Sequence, residues 1–112
     1  MYNYIKLGHI SKNTMNNTEK KYDDILKMQL LAKIIKWYGF EKIKLRLGNN
    51  CFYTPDFSVV DNNNQLMIIE IKGGYIRDDS IVKFKTACEQ YPFIKFKMVQ
   101  YKNKEWKIIH EN

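Results

Sequence analysis

At 112 residues, 45% apolar and 14% aromatic, the chain has enough apolar side chain for one folded domain with a modest core, and too much to be disordered. No run approaches the roughly 20 apolar residues of a membrane span, and Met1-Tyr2-Asn3-Tyr4 lacks the basic-then-apolar layout of a signal peptide, so a cytoplasmic protein is expected. The net charge of +7, from 19 basic and 12 acidic residues, favours a polyanionic partner, nucleic acid first, although ordinary solubility also accounts for it.

Cys51 and Cys88 each sit in an apolar pattern without zinc-motif spacing, and read as two reduced, buried thiols rather than a disulfide. His9 and His110 are isolated and read as surface residues.

Residues 1–15 carry little pattern; Tyr2, Tyr4, Ile5 and Ile10 suit a short strand or an arm packed on the body. A helix is predicted over 17–38, from good helix formers without internal Gly or Pro, with Gly39 as its stop. Asn16, with Glu19 three residues later, has the spacing of a capping box. The buried face takes Tyr22, Ile25, Leu26, Leu30, Ile34 and Trp37; at about 100° per residue Glu19 falls close in angle to Leu26 and Leu30. Next, Ile43, Leu45 and Leu47 alternate with Lys42, Lys44 and Arg46, a half-exposed strand over 40–47 with a basic outer face. Gly48-Asn49-Asn50 turns the chain into a second strand, 51–60, where Pro55 interrupts pairing. After a turn at 61–64, the strand 66–72 is apolar on both faces and should be central. Asp78-Asp79-Ser80 is an N-cap cluster for a helix ending near Gln90, with Ile81, Phe84, Cys88 and Tyr91 as its buried stripe. Ile94, Phe96 and Met98 mark a fourth strand, and Asn103-Lys104 turns into a short last one over 106–109.

The expected fold is α/β, a small mixed β-sheet flanked by helices, in the order α-β-β-β-α-β. Its third and fourth strands should be parallel, joined by a right-handed crossover. One domain is expected over 1–112, with an arm (1–15), a core (16–101) and a C-terminal edge hairpin (102–112), and no repeat or linker.

The most informative stretch is 53–73. Two strands joined by Asp61-Asn62-Asn63-Asn64-Gln65 bring Asp56 on the first toward Glu70 and Lys72 on the second, which share a face because they are two apart. Two carboxylates and a lysine amid Val59, Val60, Leu66, Ile68, Ile69 and Ile71 are costly to bury unless something compensates. A divalent cation would do so. Mg²⁺ prefers oxygen ligands and keeps several waters; Asp56 and Glu70 can supply two oxygens, and the Ile71 carbonyl could complete the protein's share. Lys72 can orient, or help deprotonate, an attacking water. A plain Glu70–Lys72 ion pair is the structural alternative, and for Glu19 the capping box is an alternative of equal standing.

Pro55-Asp56, thirteen intervening residues, then Glu70-Ile71-Lys72 resembles the PD-(D/E)XK nuclease motif. The order of elements is similar to that superfamily's restriction-endonuclease-like core. The likeness extends to small phage-encoded endonucleases of the Holliday-junction-resolvase-like type through Glu19, Tyr22 and Leu26, through Tyr53-Thr54-Pro55-Asp56-Phe57, Lys83-Phe84-Lys85 and Glu89-Gln90-Tyr91-Pro92-Phe93, over residues 16–101. Asn16 stands where that pattern usually has Ser, and can cap equally well. The resemblance implies Asp56, Glu70 and the Ile71 carbonyl as ligands of Mg²⁺, or Mn²⁺ as a substitute. It further implies Lys72 as the catalytic lysine and Glu19 as a helix acid assisting metal or water.

By the same resemblance the substrate is DNA, branched DNA first, and symmetric cutting of a junction calls for a homodimer. Arg77, Lys83 and Lys85, just after the second acidic strand, are the candidate phosphate contacts, a solvated helix face being the alternative. A non-cleaving nucleic-acid-binding protein of the same fold, or a restriction- or repair-type nicking nuclease, would share these features.

Overall fold

The computed structural model describes residues 14–112. The expected arm over 1–15 and His9 lie outside the described residues, save exposed Thr14 and Met15, the latter packed partly buried against the core.

Helix α1 (Asn17–Leu31) opens with the capping box the sequence promised. The Asn16 side chain accepts from the Glu19 N–H at 2.8 Å, and the Glu19 carboxylate accepts from the Asn16 N–H at 2.9 Å. It ends seven residues before the expected Tyr38. A Schellman motif closes it: the Ile34 N–H reaches the Gln29 carbonyl at 2.8 Å and the Lys33 N–H the Leu30 carbonyl at 3.1 Å. Lys33 takes the left-handed position, φ 62°, that glycine usually fills, so the stop carries no sequence mark.

Strand β1 (Ile35–Phe40) follows at once. Its Ile-x-Trp-Tyr run is strand-favouring, and pairing with β4 (Phe57–Asp61) overrides the helical pattern. The predicted helix face is corrected accordingly: Tyr22 and Leu26 are buried, but Ile34 and Trp37 are 57% and 42% exposed. Gly39 is no helix stop. It lies inside β1, where a Cβ would meet the Trp37 ring at 3.0 Å.

The predicted first and second strands are also redistributed. Glu41, at φ 51°, turns the chain out of β1. Residues 41–56 then form an excursion carrying a separate two-stranded hairpin, β2 (Leu45–Gly48) with β3 (Cys51–Tyr53). The expected 51–60 strand is therefore two strands in two sheets, parted at buried Pro55, as a missing N–H requires. Cys51 is exposed, contrary to expectation, because β3 turns it away from both cores; Cys88 is half-buried and both are free.

Among the described residues the main sheet runs β1-β4-β5-β6-β7, with β5 (Leu66–Lys72) central as expected. β5 pairs antiparallel with β4 and parallel with β6 (Lys95–Lys102), and α2 (Asp78–Gln90) makes the crossover between β5 and β6. β7 (Glu105–Glu111) closes the edge after a turn in which Asn103 and Lys104 have φ 54° and 62°. The order α1, β1, β4, β5, α2, β6 is the expected α-β-β-β-α-β core, with the hairpin inserted after its first strand. No helix among the described residues is long and apolar enough to cross a membrane.

α2 begins at an N-cap, Arg77, that has no side-chain cap bond, so the expected Asp78-Asp79-Ser80 cap is not made. Asp78 and Asp79 instead fall in the first turn, where they suit the helix dipole, and the Ser80 hydroxyl donates to the Arg77 carbonyl. His110 is half-buried near Phe84 rather than on the surface.

The sheet has a core on each face. α1 covers Phe57, Val59, Ile69, Ile71 and Val99; α2 and the hairpin cover Ile68, Phe96 and Met98, with Phe84, Ala87, Leu45 and Tyr53. Each such side chain, fully buried, contributes about 1.5–3 kcal/mol. Because side chains alternate, Glu70 and Lys72 share the α2 face with Ile68.

The left-handed Lys33 is the hinge between helix and strand. Lys33→Gly should stabilise the protein by roughly 0.5–1 kcal/mol, the relief of a left-handed side chain less the entropy of a glycine, read as a higher urea midpoint. If residue 33 lay within a helix, the same change would instead destabilise by about 1 kcal/mol.

Candidate active site

The site forms where β4 begins and β5 ends. One step past the Phe57–Ile69 pair, Asp56 stands opposite Glu70. Asp56 is buried and its Oδ2 accepts from the Ile71 N–H at 2.7 Å. The Asp56 carbonyl accepts from the Glu41 N–H at 2.8 Å, so the residue is held from both sides.

Glu70 is held by two partners. The Tyr53 hydroxyl donates to Oε1 at 2.8 Å, and Lys72 Nζ lies 3.3 Å from Oε2. The Glu70 and Lys72 side chains are 12% and 20% exposed, so this ion pair is far less screened than a surface one. Burial first, then the charge of Glu70, push the Tyr53 hydroxyl far above its ordinary range, so it remains a donor.

Burial also raises the Asp56 carboxyl, from 3.8 to about 8. The Glu70 charge adds to the rise, the Ile71 N–H opposes it, and Glu19 adds both charge and a side-chain hydrogen bond. Glu19 thus acts on Asp56 from the first turn of α1 while its carboxylate caps that helix.

A cleft of about 610 Å³ opens over these groups, lined by Glu41, Lys44, Phe52, Thr54, Asp56, Glu70 and Lys83. Of the three expected phosphate contacts only Lys83 lines it. Two residues further on, Lys85 is turned about 200° around the helix and is exposed, while Arg77 pairs with Asp79 at 3.3 Å.

Tyr53, Glu41 and Phe52 are site features that sequence reasoning missed as such, while Lys44 was read as part of a basic strand face. Tyr53 stood in the quoted motif without a role. Glu41, Lys44 and Phe52 reach the cleft through the hairpin's fold-back, which no local pattern encodes.

The donors suit a hard cation. Asp56 and Glu70 are carboxylates on neighbouring strands; burial first, then the Glu70 charge, raise Asp56, and a cation would offset both. Among the described residues no three His, Cys, Asp or Glu side chains gather into a metal-binding group, so such an ion would hold two carboxylates and keep waters.

The raised Asp56 has a measurable consequence in metal-free protein. Between about pH 4 and 8 the folded state binds a proton that the unfolded chain has released. Stability is therefore fullest below 3.8 and is lost as pH rises through about 8. Asp56→Asn should flatten this decline and melt higher than wild type at pH 8.5. A parallel decline in both proteins, followed by melting temperature against pH in EDTA, would assign it to other groups.

No protein-family model matches the chain, and no curated protein matches it in sequence. Among solved structures it is similar to Hjc, a Holliday junction resolvase from the archaeal hyperthermophile Archaeoglobus fulgidus. The two share 13% identity and a TM-score of 0.45, over 80% of this chain and 74% of that one. A likeness of that size carries no inference about activity, and the roles proposed below rest on this chain's own residues.

Proposed function

We propose that the protein is a metal-dependent endonuclease that hydrolyses phosphodiester bonds in DNA, with branched DNA as its substrate. The observation that carries this reading is the meeting of Asp56 and Glu70 on adjacent strands with Lys72 against Glu70, in a cleft rimmed by Lys44 and Lys83. Branched DNA as the target comes from the motif resemblance in the sequence. A junction offers two strands to cut and this chain one set of acids, so the active form is read as a homodimer.

Asp56, Glu70 and the Ile71 carbonyl would hold Mg²⁺ or Mn²⁺, with Glu19 beside them. The ion would lower the pKa of a water and neutralise charge developing on the phosphate. The chain's own groups do the rest. The Ile71 N–H fixes the Asp56 oxygen, and the Tyr53 hydroxyl fixes Glu70, so neither carboxylate must be ordered when substrate arrives. Lys72, on the cleft side of β5, orients the attacking water or donates to a non-bridging phosphate oxygen. Lys44 and Lys83 at the rim attract the backbone.

One observation favours a second reading, a nucleic-acid-binding protein that does not cleave. Lys72 is engaged by Glu70 and Glu19 by its cap, an arrangement that is self-sufficient as a structural network.

Labelled four-way junction, flap, single-stranded and duplex DNA, incubated with Mg²⁺ or EDTA, separates the two. Cleavage of the branched substrates in Mg²⁺ alone is expected. Asp56→Asn and Glu70→Gln should abolish it while retaining DNA binding. Glu19→Gln, which keeps the cap, should lose activity by orders of magnitude without a change in melting temperature. Wild-type turnover by the Asp56 or Glu70 variant would sink the site, and binding without cleavage of any substrate would leave the second reading.

The two helix lysines should also part. Lys83→Gln is expected to reduce the slope of log affinity against log salt on duplex DNA by about 0.9, and Lys85→Gln to leave it unchanged. Equal effects would put the DNA path over the outer face of α2.

A further inference from the structure

One wall of the cleft has a composition that the hydrolytic groups do not explain. Phe52, the middle residue of β3, is 39% exposed and lines the cleft together with Asp56 and Glu70. Lys44 Nζ lies 4.5 Å from the centre of its ring. Arg46 is its cross-strand partner on β2. Lys83 reaches across from α2 and donates to the Phe52 carbonyl at 3.2 Å. One exposed aromatic residue therefore has a lysine over its ring, a second lysine on its carbonyl and an arginine as its strand partner, at the mouth of an acidic floor.

The ring is also held still. The hairpin carrying it is tied to α2 by the Tyr91 hydroxyl, which donates to the Arg46 carbonyl at 2.7 Å, and by Gln90, which donates to the Leu47 carbonyl at 2.9 Å. The neighbouring Tyr53 is buried and bonded to Glu70. An exposed phenylalanine on a surface is commonplace. One presented on a fixed strand, within the same cleft as the two candidate ligand carboxylates and flanked by cations, is built as a platform.

We propose that this wall seats one unpaired base of the substrate, stacked on the Phe52 ring, with Lys44 and Lys83 meeting the phosphates on either side. The proposal rests on the nuclease reading and specifies its substrate as DNA with an unpaired nucleotide at the cleavage point. A base inside a duplex has both faces covered by its neighbours, so only an unpaired or extruded base can use the ring. An aromatic face takes any base, and the surrounding cations track the backbone irrespective of sequence. Lys44 covers the ring in the free protein as a cation over its face, and an arriving nucleotide replaces it there while the ammonium moves to phosphate.

The test is binding in EDTA, so that cleavage plays no part. The probes are a single-stranded oligonucleotide carrying one 2-aminopurine and a blunt duplex of the same sequence. Stacking on Phe52 should quench the 2-aminopurine. Phe52→Ala should lose the quench and weaken single-strand affinity about tenfold, with duplex affinity and melting temperature unchanged. Phe52→Trp should restore both signals, and Phe52→Leu neither. Phe52→Ala that binds single strands like wild type, or Phe52→Leu that rescues fully, would overturn the platform and leave the nuclease reading intact. A wild-type protein that binds neither these probes nor a four-way junction would instead overturn the nucleic-acid reading, and this inference with it.

Discussion

The hydrogen bond from the Ile71 N–H to the Asp56 carboxylate is the constraint on which the site depends. Continued two residues past the Phe57–Ile69 pair, the β4–β5 register would put Pro55 opposite Ile71. Proline has no N–H to offer the Ile71 carbonyl, and the Asp56 side chain, rather than main chain, answers the Ile71 N–H. The ladder therefore ends in a side chain, and a carboxylate is buried where a backbone pair would otherwise lie. At its other end Asp56 accepts from Glu41, which closes the base of the 41–56 excursion. The same residue thus ends a sheet, gates an insertion and forms part of the cleft floor.

The insertion explains why there is a cleft at all. A bare α-β-β-β-α-β core would leave the end of β5 open to solvent. The β2–β3 hairpin stands over it, with Leu45 and Tyr53 in the α2-side core and Phe52 turned to the opening. Tyr53 links the two parts, since its ring is buried with the hairpin and its hydroxyl ends on Glu70. The geometry of Glu70 is consequently a property of hairpin packing as much as of β5.

What was legible in the sequence follows from what is local. The Asn16–Glu19 box, the apolar β5, the Pro55 break and the even spacing of Glu70 and Lys72 are contained within a few residues, and the structure keeps them all. The end of α1 was not legible because its left-handed stop is Lys33 rather than Gly, and because Ile34, Ile35 and Trp37 fit a helical stripe as well as a strand. Of the alternation at 43–47 only 45–47 is strand, and it lies in the separate two-stranded sheet. The long-range pairing of β1 with β4 is what keeps it out of the main sheet, although Leu45 still joins the core on the α2 side. The convergence of Asp56 on Glu70 was legible because one short turn joins their strands; Tyr53, Glu41 and Phe52 belong to the fold-back and were not.

Charge at the floor ties these parts together. Two like charges 4 Å apart repel by about 4 kcal/mol at an effective dielectric near 20, more than the 1.5–3 kcal/mol that one charged hydrogen bond at the rim returns. A phosphate over bare carboxylates would therefore lose most of what Lys44 and Lys83 together return to it. The free protein already discharges its floor internally, with Lys72 against Glu70 and, below about pH 8, a proton on Asp56. That arrangement is self-contained, and it occupies the groups that the proposed hydrolysis would use. On the nuclease reading, Lys72 becomes available to the substrate only when another cation answers Glu70, and Asp56 becomes a ligand only when it gives up its proton. On that reading the half-buried ion pair and the raised carboxyl mark a resting state, and the charge that displaces them comes from outside the chain.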